Sequence, residues 1–207
     1  MAATVRLCPF RAYIPYTRMM LTTHALVGAL LALPVALVAP GYAPTAVLGG
    51  FLGGVFPDID VLARHRRTLH FPRYYGYAAV PAALVALVYH TPVTVAATLF
   101  LVGAWAHSLM DVAGGSPEPC PWEPTVERAV YDHRAKRWLP PLRWIRYDGA
   151  PEDLALVLVV AVPVTYVAPE GFFYVVVGAL VVSAIYTVLR KRIGLLAEKA
   201  DAPVVDD

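Results

Sequence analysis

Charge is scarce in this chain. Asp, Glu, Lys and Arg make up 15% of its 207 residues and hydrophobic residues 58%, a balance that excludes an ordinary soluble domain, where charged residues run near ~25%. Cysteine is scarcer still. Cys8 and Cys120 stand far apart with neither CxxC nor metal-ligand spacing, so thiol and disulfide chemistry have no support. No GxSxG and no Walker A segment occurs, which removes the sequence basis for serine hydrolase and nucleotide-driven chemistry. The net charge of +2 decides nothing, and no direct nucleic-acid binding is expected.

What remains is apolar and segmented. Residues 1–18 carry Arg6, Arg11 and Arg18 without a long apolar core, a poor match to a signal peptide. They are expected to be a leader or disordered tail, with translation starting at Met19 or Met20. Six apolar segments follow, at 21–38, 44–56, 75–89, 92–110, 154–167 and 172–189. The fold class expected is all-α: a polytopic membrane helical bundle of about six transmembrane helices occupying residues 19–194. Several segments fall short of the ~20 residues a bilayer span needs, so their ends must extend into the interface or sit inside the bundle. One sizeable extramembrane loop is expected at 112–152, where aromatic and basic residues alternate as in a segment lying on a membrane surface. Its Glu123, Glu127, Asp132 and His133 either close over a site or are solvated. Residues 195–207 are expected to be a disordered tail.

The basic residues orient the bundle. Of 17 Lys and Arg, three precede the first segment, four lie between the second and third, six between the fourth and fifth, and four follow the sixth. The alternate connections near Gly41, His90 and Glu170 have none. By the positive-inside rule both termini are then cytoplasmic.

On that topology the chain is organised around Gly49-Gly-Phe-Leu-Gly-Gly-Val-Phe-Pro-Asp-Ile-Asp60 and the Arg64-His-Arg-Arg-Thr-Leu-His70 that follows. Gly49/Gly53 and Gly50/Gly54 have the small-xxx-small spacing that lets helices approach closely. Pro57 can end the helix and turn Asp58 and Asp60 back toward its mouth. His24 opens the first segment, and His107 and Asp111, four apart on one helical face, close the fourth. These five ionisable residues meet at one membrane face, where carboxylates are costly unless functional. Taken singly, each has a plainer reading: a solvated helix end, or an intrahelical hydrogen bond between His107 and Asp111. Together two imidazoles and three carboxylates suit one or two divalent ions, Zn, Mn or Mg. Without a cation the carboxylates would repel one another. From an irregular loop His70 could add a ligand or act as general base, and His65 could reach the site or be solvated. Arg64, Arg66 and Arg67 are either positive-inside anchors or a clamp for a phosphate or anionic headgroup.

Thr23-His24, Gly53-Gly-Val-Phe-Pro-Asp-Ile-Asp60, Arg66-Arg-Thr-Leu-His70 and His107-Ser-Leu-Met-Asp111 occur here in the order of a known pattern. At these residues the chain resembles the YdjM-like family of LexA-binding, inner-membrane-associated metal-dependent hydrolases, over roughly residues 20–115. The resemblance implies a membrane-bound hydrolase with His24, Asp58, Asp60, His70, His107 and Asp111 as metal ligands; it names no substrate. The resulting expectation is hydrolysis of a phosphoester or lipid-type substrate at the cytoplasmic membrane face. In it Asp60 and His70 serve catalysis, the arginines hold the anion, and the substrate is a membrane lipid or delivered by the membrane. Two other classes compete. A metal-stabilised membrane scaffold would bind a cytoplasmic regulatory protein. A transporter would need ionisable residues at mid-membrane, and the segments hold none there.

Overall fold

The computed structural model describes residues 21–201; the expected leader and the last six residues lie outside them. Its helices are α1 (Leu21–Leu30), α2 (Leu33–Val38), α3 (Ala43–Val55), α4 (Tyr74–Val88), α5 (Pro92–Ala113), α6 (Pro151–Val167) and α7 (Phe172–Asp201). A two-stranded antiparallel hairpin, β1 (Tyr131–Asp132) and β2 (Arg137–Trp138), stands in the long loop. All six apolar segments are therefore helical. Four stretches are long and apolar enough to cross a membrane: Leu21–Val38, Pro40–Leu62, Pro92–Ala113 and Phe172–Leu196. α4 and α6, of 15 and 17 residues, rise only about 22–26 Å at 1.5 Å per residue. That is short of a ~30 Å hydrocarbon core. Helix α7 runs on through Asp201, so residues 195–201 are helical where a disordered tail was expected.

Prolines and threonines set the boundaries. Pro34 has no N–H to continue the ladder, and the chain turns at Leu31–Ala32 between α1 and α2. α5 starts on a reciprocal cap in which Thr91 and Thr94 each bond the other's backbone N–H, with Pro92 at the first helical position.

Helix ends alternate between two faces of the bundle. On one face Thr23 Oγ1 donates to Asp153 Oδ1 at 2.7 Å, the Thr22 and Ser183 hydroxyls meet at 2.8 Å, and Trp105 Nε1 donates to the Pro72 carbonyl at 2.9 Å. On the other, the Tyr42 hydroxyl donates to the His90 carbonyl. The apolar core lies between, with Leu26, Ala29, Val47, Leu99, Val157, Val164 and Val176 buried.

α3 is the middle helix, and its glycines are the reason. A Cβ at Gly50 would lie 2.1 Å from the Gly28 carbonyl oxygen, and one at Gly54 2.3 Å from that of His24. On the adjacent face a Cβ at Gly53 would lie 2.1 Å from the Phe100 carbonyl oxygen. One glycine pair thus seats α1 and the other α5 with backbones in contact, which brings His24, Asp58 and His107 to a common depth.

Candidate metal centre

The site begins with a change of helical pitch. α3 ends at Val55, and Phe56–Leu62 continues as a 3₁₀ turn with Pro57 at its start. In that register the Gly54 carbonyl looks for the N–H of residue 57, which proline lacks. His107 supplies the missing donor: its Nδ1 lies 2.6 Å from the Gly54 oxygen. Because a carbonyl only accepts, a proton sits on His107 Nδ1, and Nε2 is the nitrogen that faces into the site.

His70 is held the same way by a different partner. Its Nδ1 lies 2.9 Å from Asp60 Oδ2, so its Nε2 is the nitrogen that points inward. The two Nε2 atoms are 3.2 Å apart. Asp111 Oδ2 lies 2.8 Å from His70 Nε2 and 3.6 Å from His107 Nε2. Asp58 Oδ1 lies 3.4 Å from His107 Nε2 and 3.8 Å from His70 Nε2. One ligand atom from each of Asp58, His70, His107 and Asp111 falls within 4.8 Å of all the others, and all four residues are buried. Donors ~2.0–2.1 Å from a tetrahedral zinc stand ~3.3 Å from one another, so these separations fit a divalent ion. Acceptors this close repel unless a proton or a cation sits between them.

His24 adds a fifth group. Its ring stacks on His107, centroids 4.0 Å apart, and its Nε2 lies 3.5 Å from Asp111 Oδ1. Neither His24 nitrogen, nor Asp58 Oδ2, has a hydrogen-bond partner among the described residues, though all are buried. Leaving such groups unpaired costs roughly 1–3 kcal/mol each, which a bound cation would offset.

The remaining sequence candidates divide by what they touch. Asp60 is an acceptor hub: Oδ1 receives His65 Nδ1 at 2.9 Å and the Arg66 N–H at 3.3 Å, and Oδ2 receives the Leu69 N–H at 3.1 Å besides His70. A second grouping, Asp60, His65 and His70, also has metal-like spacing, but Asp60's oxygens are already committed to four donors. Asp60 therefore positions His70 and closes the 60–70 loop. His65 is buried against it rather than solvated. Burial opposes charge on His70, yet its bonds with Asp111 and Asp60 outweigh burial and hold its pKa above the ordinary value. Proton and metal would compete for the same His70 lone pair.

The three arginines separate. Arg66 is buried, and its Nη1 donates to the Gly115 carbonyl at 2.6 Å while Nη2 lies 3.1 Å from Asp111 Oδ1. It is neither a surface anchor nor exposed to solvent. A left-handed backbone, φ 59°, aims it inward, at a local cost of about 1–2 kcal/mol. Arg64 and Arg67 instead line a groove with His65 and Trp138.

The long loop covers this face. The Tyr131 N–H donates to the Arg66 carbonyl at 3.0 Å, the Arg67 guanidinium stacks 4.4 Å over the Tyr131 ring, and His133 Nε2 bonds the Arg67 carbonyl. Asp132, one of the loop acids expected either to close over the site or to be solvated, is buried; Arg73 Nε reaches its Oδ2 at 2.7 Å. Burial opposes its charge, but the Ala135 and Arg134 amides and Arg73 hold its pKa below the usual carboxylate range. Glu123 and Glu127 stay exposed, with Glu127 paired to Arg143.

Sequence reasoning missed Gly54 as the partner that orients His107, though Pro57 three residues on was the signal for it. It also missed the bonds that hold the long loop to α7. There Arg190 Nε and Nη2 lie 2.9 and 3.0 Å from the Asp148 carboxylate, and the Tyr186 hydroxyl donates to the same group. Compared with family models, with curated proteins and with solved structures, the chain gives no significant match, so the reading of this site rests on its geometry.

Proposed function

We propose that the protein is a membrane-bound, metal-dependent hydrolase that cleaves a phosphoester. One observation carries this: the buried His70 and His107 Nε2 atoms face each other at 3.2 Å between Asp58 and Asp111, with both Nδ1 atoms bonded elsewhere. Asp58, His70, His107 and Asp111 would hold the ion, and His24 stands ready as a further ligand. A divalent ion there would acidify a bound water and polarise a phosphoryl oxygen.

The chain's own residues supply the rest. Hydrolysis breaks a P–O bond; water gives its hydroxyl to phosphorus and its proton to the departing alcohol. Asp60 orients His70 and holds His65 where the Arg64 and Arg67 groove meets the cluster. Arg66 partly neutralises Asp111, and Arg64 and Arg67 face the groove where phosphate charge would build. The YdjM-like resemblance, an inner-membrane location and a cytoplasmic active face belong to the same reading, supported by the Lys/Arg partition. α4 and α6 then complete six crossings with their ends in the interface. Single cysteines near Gly41 and Glu170 should label from outside and one at Arg137 should not; the reverse pattern would overturn the orientation.

A metal-stabilised scaffold for a cytoplasmic partner is the second reading. It is favoured by the near-complete burial of a cluster joining α1, the 3₁₀ turn after α3, α5 and the 60–70 loop. Metal analysis of detergent-purified protein, followed by a phosphoesterase and lipase panel with metal restored, tests the first reading. Turnover that collapses with chelator and returns with metal supports the hydrolase. Bound metal without any turnover favours the scaffold.

A further inference from the structure

Two grooves open beside the cluster, and they differ in chemistry. One, of about 250 Å³, is lined by Arg64, His65, Arg67 and Trp138. Neither Arg64 nor Arg67 has a carboxylate within salt-bridge distance among the described residues, whereas Arg66, Arg73 and Arg190 are each paired. The other, of about 240 Å³, is lined by Leu21, Val55, Ile59, Val61 and Leu62, with Asp58 as its one polar wall among the described residues. Ile59 and Leu62 are exposed at its rim, on a stretch apolar enough to cross a membrane.

Among the described residues each groove reaches the cluster through one, His65 or Asp58, and His65 Nδ1 lies 3.8 Å from Asp58 Oδ1. A surface meant only to face lipid tails would not place a carboxylate in its wall, because hydrocarbon against an ionised group is costly. Either groove is smaller than the ~300 Å³ at which sites for whole small molecules begin. A ligand with two dissimilar ends would use both.

We infer that the site takes an anionic phospholipid, with its phosphate headgroup against Arg64 and Arg67 and an acyl chain along Leu21, Val55, Ile59 and Leu62. This inference rests on the hydrolase reading for the chemistry but not for the binding. The phosphate bridges the grooves where His65 and Asp58 meet, which puts the ester oxygen at the ligand cluster. Trp138 and the apolar rim fix the order: charge toward the aqueous loop, chain toward the bilayer.

The test uses the full chain in detergent and a phosphatidic acid bearing a photoactivatable diazirine at the end of one acyl chain. Cross-linked peptides are mapped by mass spectrometry, and metal content is measured on the same samples. Labelling should concentrate at Ile59–Leu62. Replacing Arg64, an exposed residue, by Ala should cut it roughly tenfold, as loss of a charge-assisted contact of ~1.5 kcal/mol implies. Leu62→Asn should cut labelling while leaving competition by inorganic phosphate unchanged. Unlabelled dioctanoyl phosphatidic acid should compete far better than inorganic phosphate or dioctanoylglycerol, which separates the lipid from either half of it. Labelling spread evenly over exposed α6 and α7 residues such as Val159 and Val188, and indifferent to Arg64→Ala, would overturn the inference. That result with metal still bound leaves the hydrolase reading standing; focused labelling of a protein that takes up no metal supports the lipid site and removes the hydrolase.

Discussion

Two buried polar clusters lie at the same end of this bundle, and they are built oppositely. Around Asp148 donors match acceptors: Arg190 offers Nε and Nη2, Tyr186 its hydroxyl, and Arg190 Nη1 goes on to the Pro119 carbonyl at 3.3 Å. Around Asp111 potential ligands crowd together: two imidazole Nε2 atoms and two carboxylates meet, with Arg66 the one Arg or Lys that reaches them among the described residues. The first cluster is complete as it stands and ties the long loop to α7. The second needs something positive. Buried charge alone therefore does not mark a functional site; a buried surplus of one hydrogen-bonding sign does.

The comparison can be broken from either side. The largest effect is expected at the completed cluster: Arg190→Met leaves Asp148 buried without its cation and should cost about 3–5 kcal/mol. A lowered melting temperature in detergent would show it, and the double variant Asp148→Leu/Arg190→Met should recover most of the loss. Metal content per folded chain should not change. An unaltered melting temperature would mean the pair does not hold the loop.

Next comes the acceptor-rich cluster. Asp111→Asn removes a negative ligand at nearly constant shape and should lower metal affinity by more than ~100-fold, beyond the 10–100-fold typical of residues that only orient ligands. Metal titration monitored by calorimetry checks this, and an unchanged affinity would remove Asp111 from the site. Asp60→Asn belongs in that lesser range, a fall of ~10–100-fold, because it acts through His70. Amide exchange in residues 64–70 should rise in the same variant, since Asp60 also accepts the Arg66 and Leu69 N–H groups.

The smallest effect is pH-dependent and concerns the hairpin. The folded-state pKa of Asp132 lies below its ordinary value, so its contribution to docking is complete above the unfolded value near ~3.9. It is lost as pH falls through the lower, folded value. Fluorescence of Trp138, whose strand pairs with Tyr131, should report loosening only in that acidic window. Asp132→Asn should loosen the hairpin at neutral pH and abolish the transition.

Much of the fold was legible because membrane helices advertise themselves by length and hydropathy. The glycine pairs of α3 also foretold close helix approach, though not that each pair would seat a different neighbour. His24, Asp58, His107 and Asp111 were legible as a group because the Lys/Arg partition put the three helix ends that carry them on one face. The roles of Asp60 and Arg66 were not. Both depend on the path of residues 60–70, a loop without periodicity, turned by a left-handed Arg66 that no residue preference announces. The Asp148–Arg190 pair was hidden for the same reason: its partners lie 42 residues apart, joined only by tertiary packing.

The central claim is that the acceptor-rich cluster holds a divalent cation, and elemental analysis tests it most directly. Protein purified in detergent without chelator, then equilibrated with Zn, Mn and Mg and desalted, should retain at least about one divalent ion per chain. Arg190→Met should retain it too, while Asp111→Asn and His107→Ala should lose it. A wild-type protein that stays metal-free after equilibration, or an Asp111→Asn protein that holds as much metal as wild type, would contradict the account.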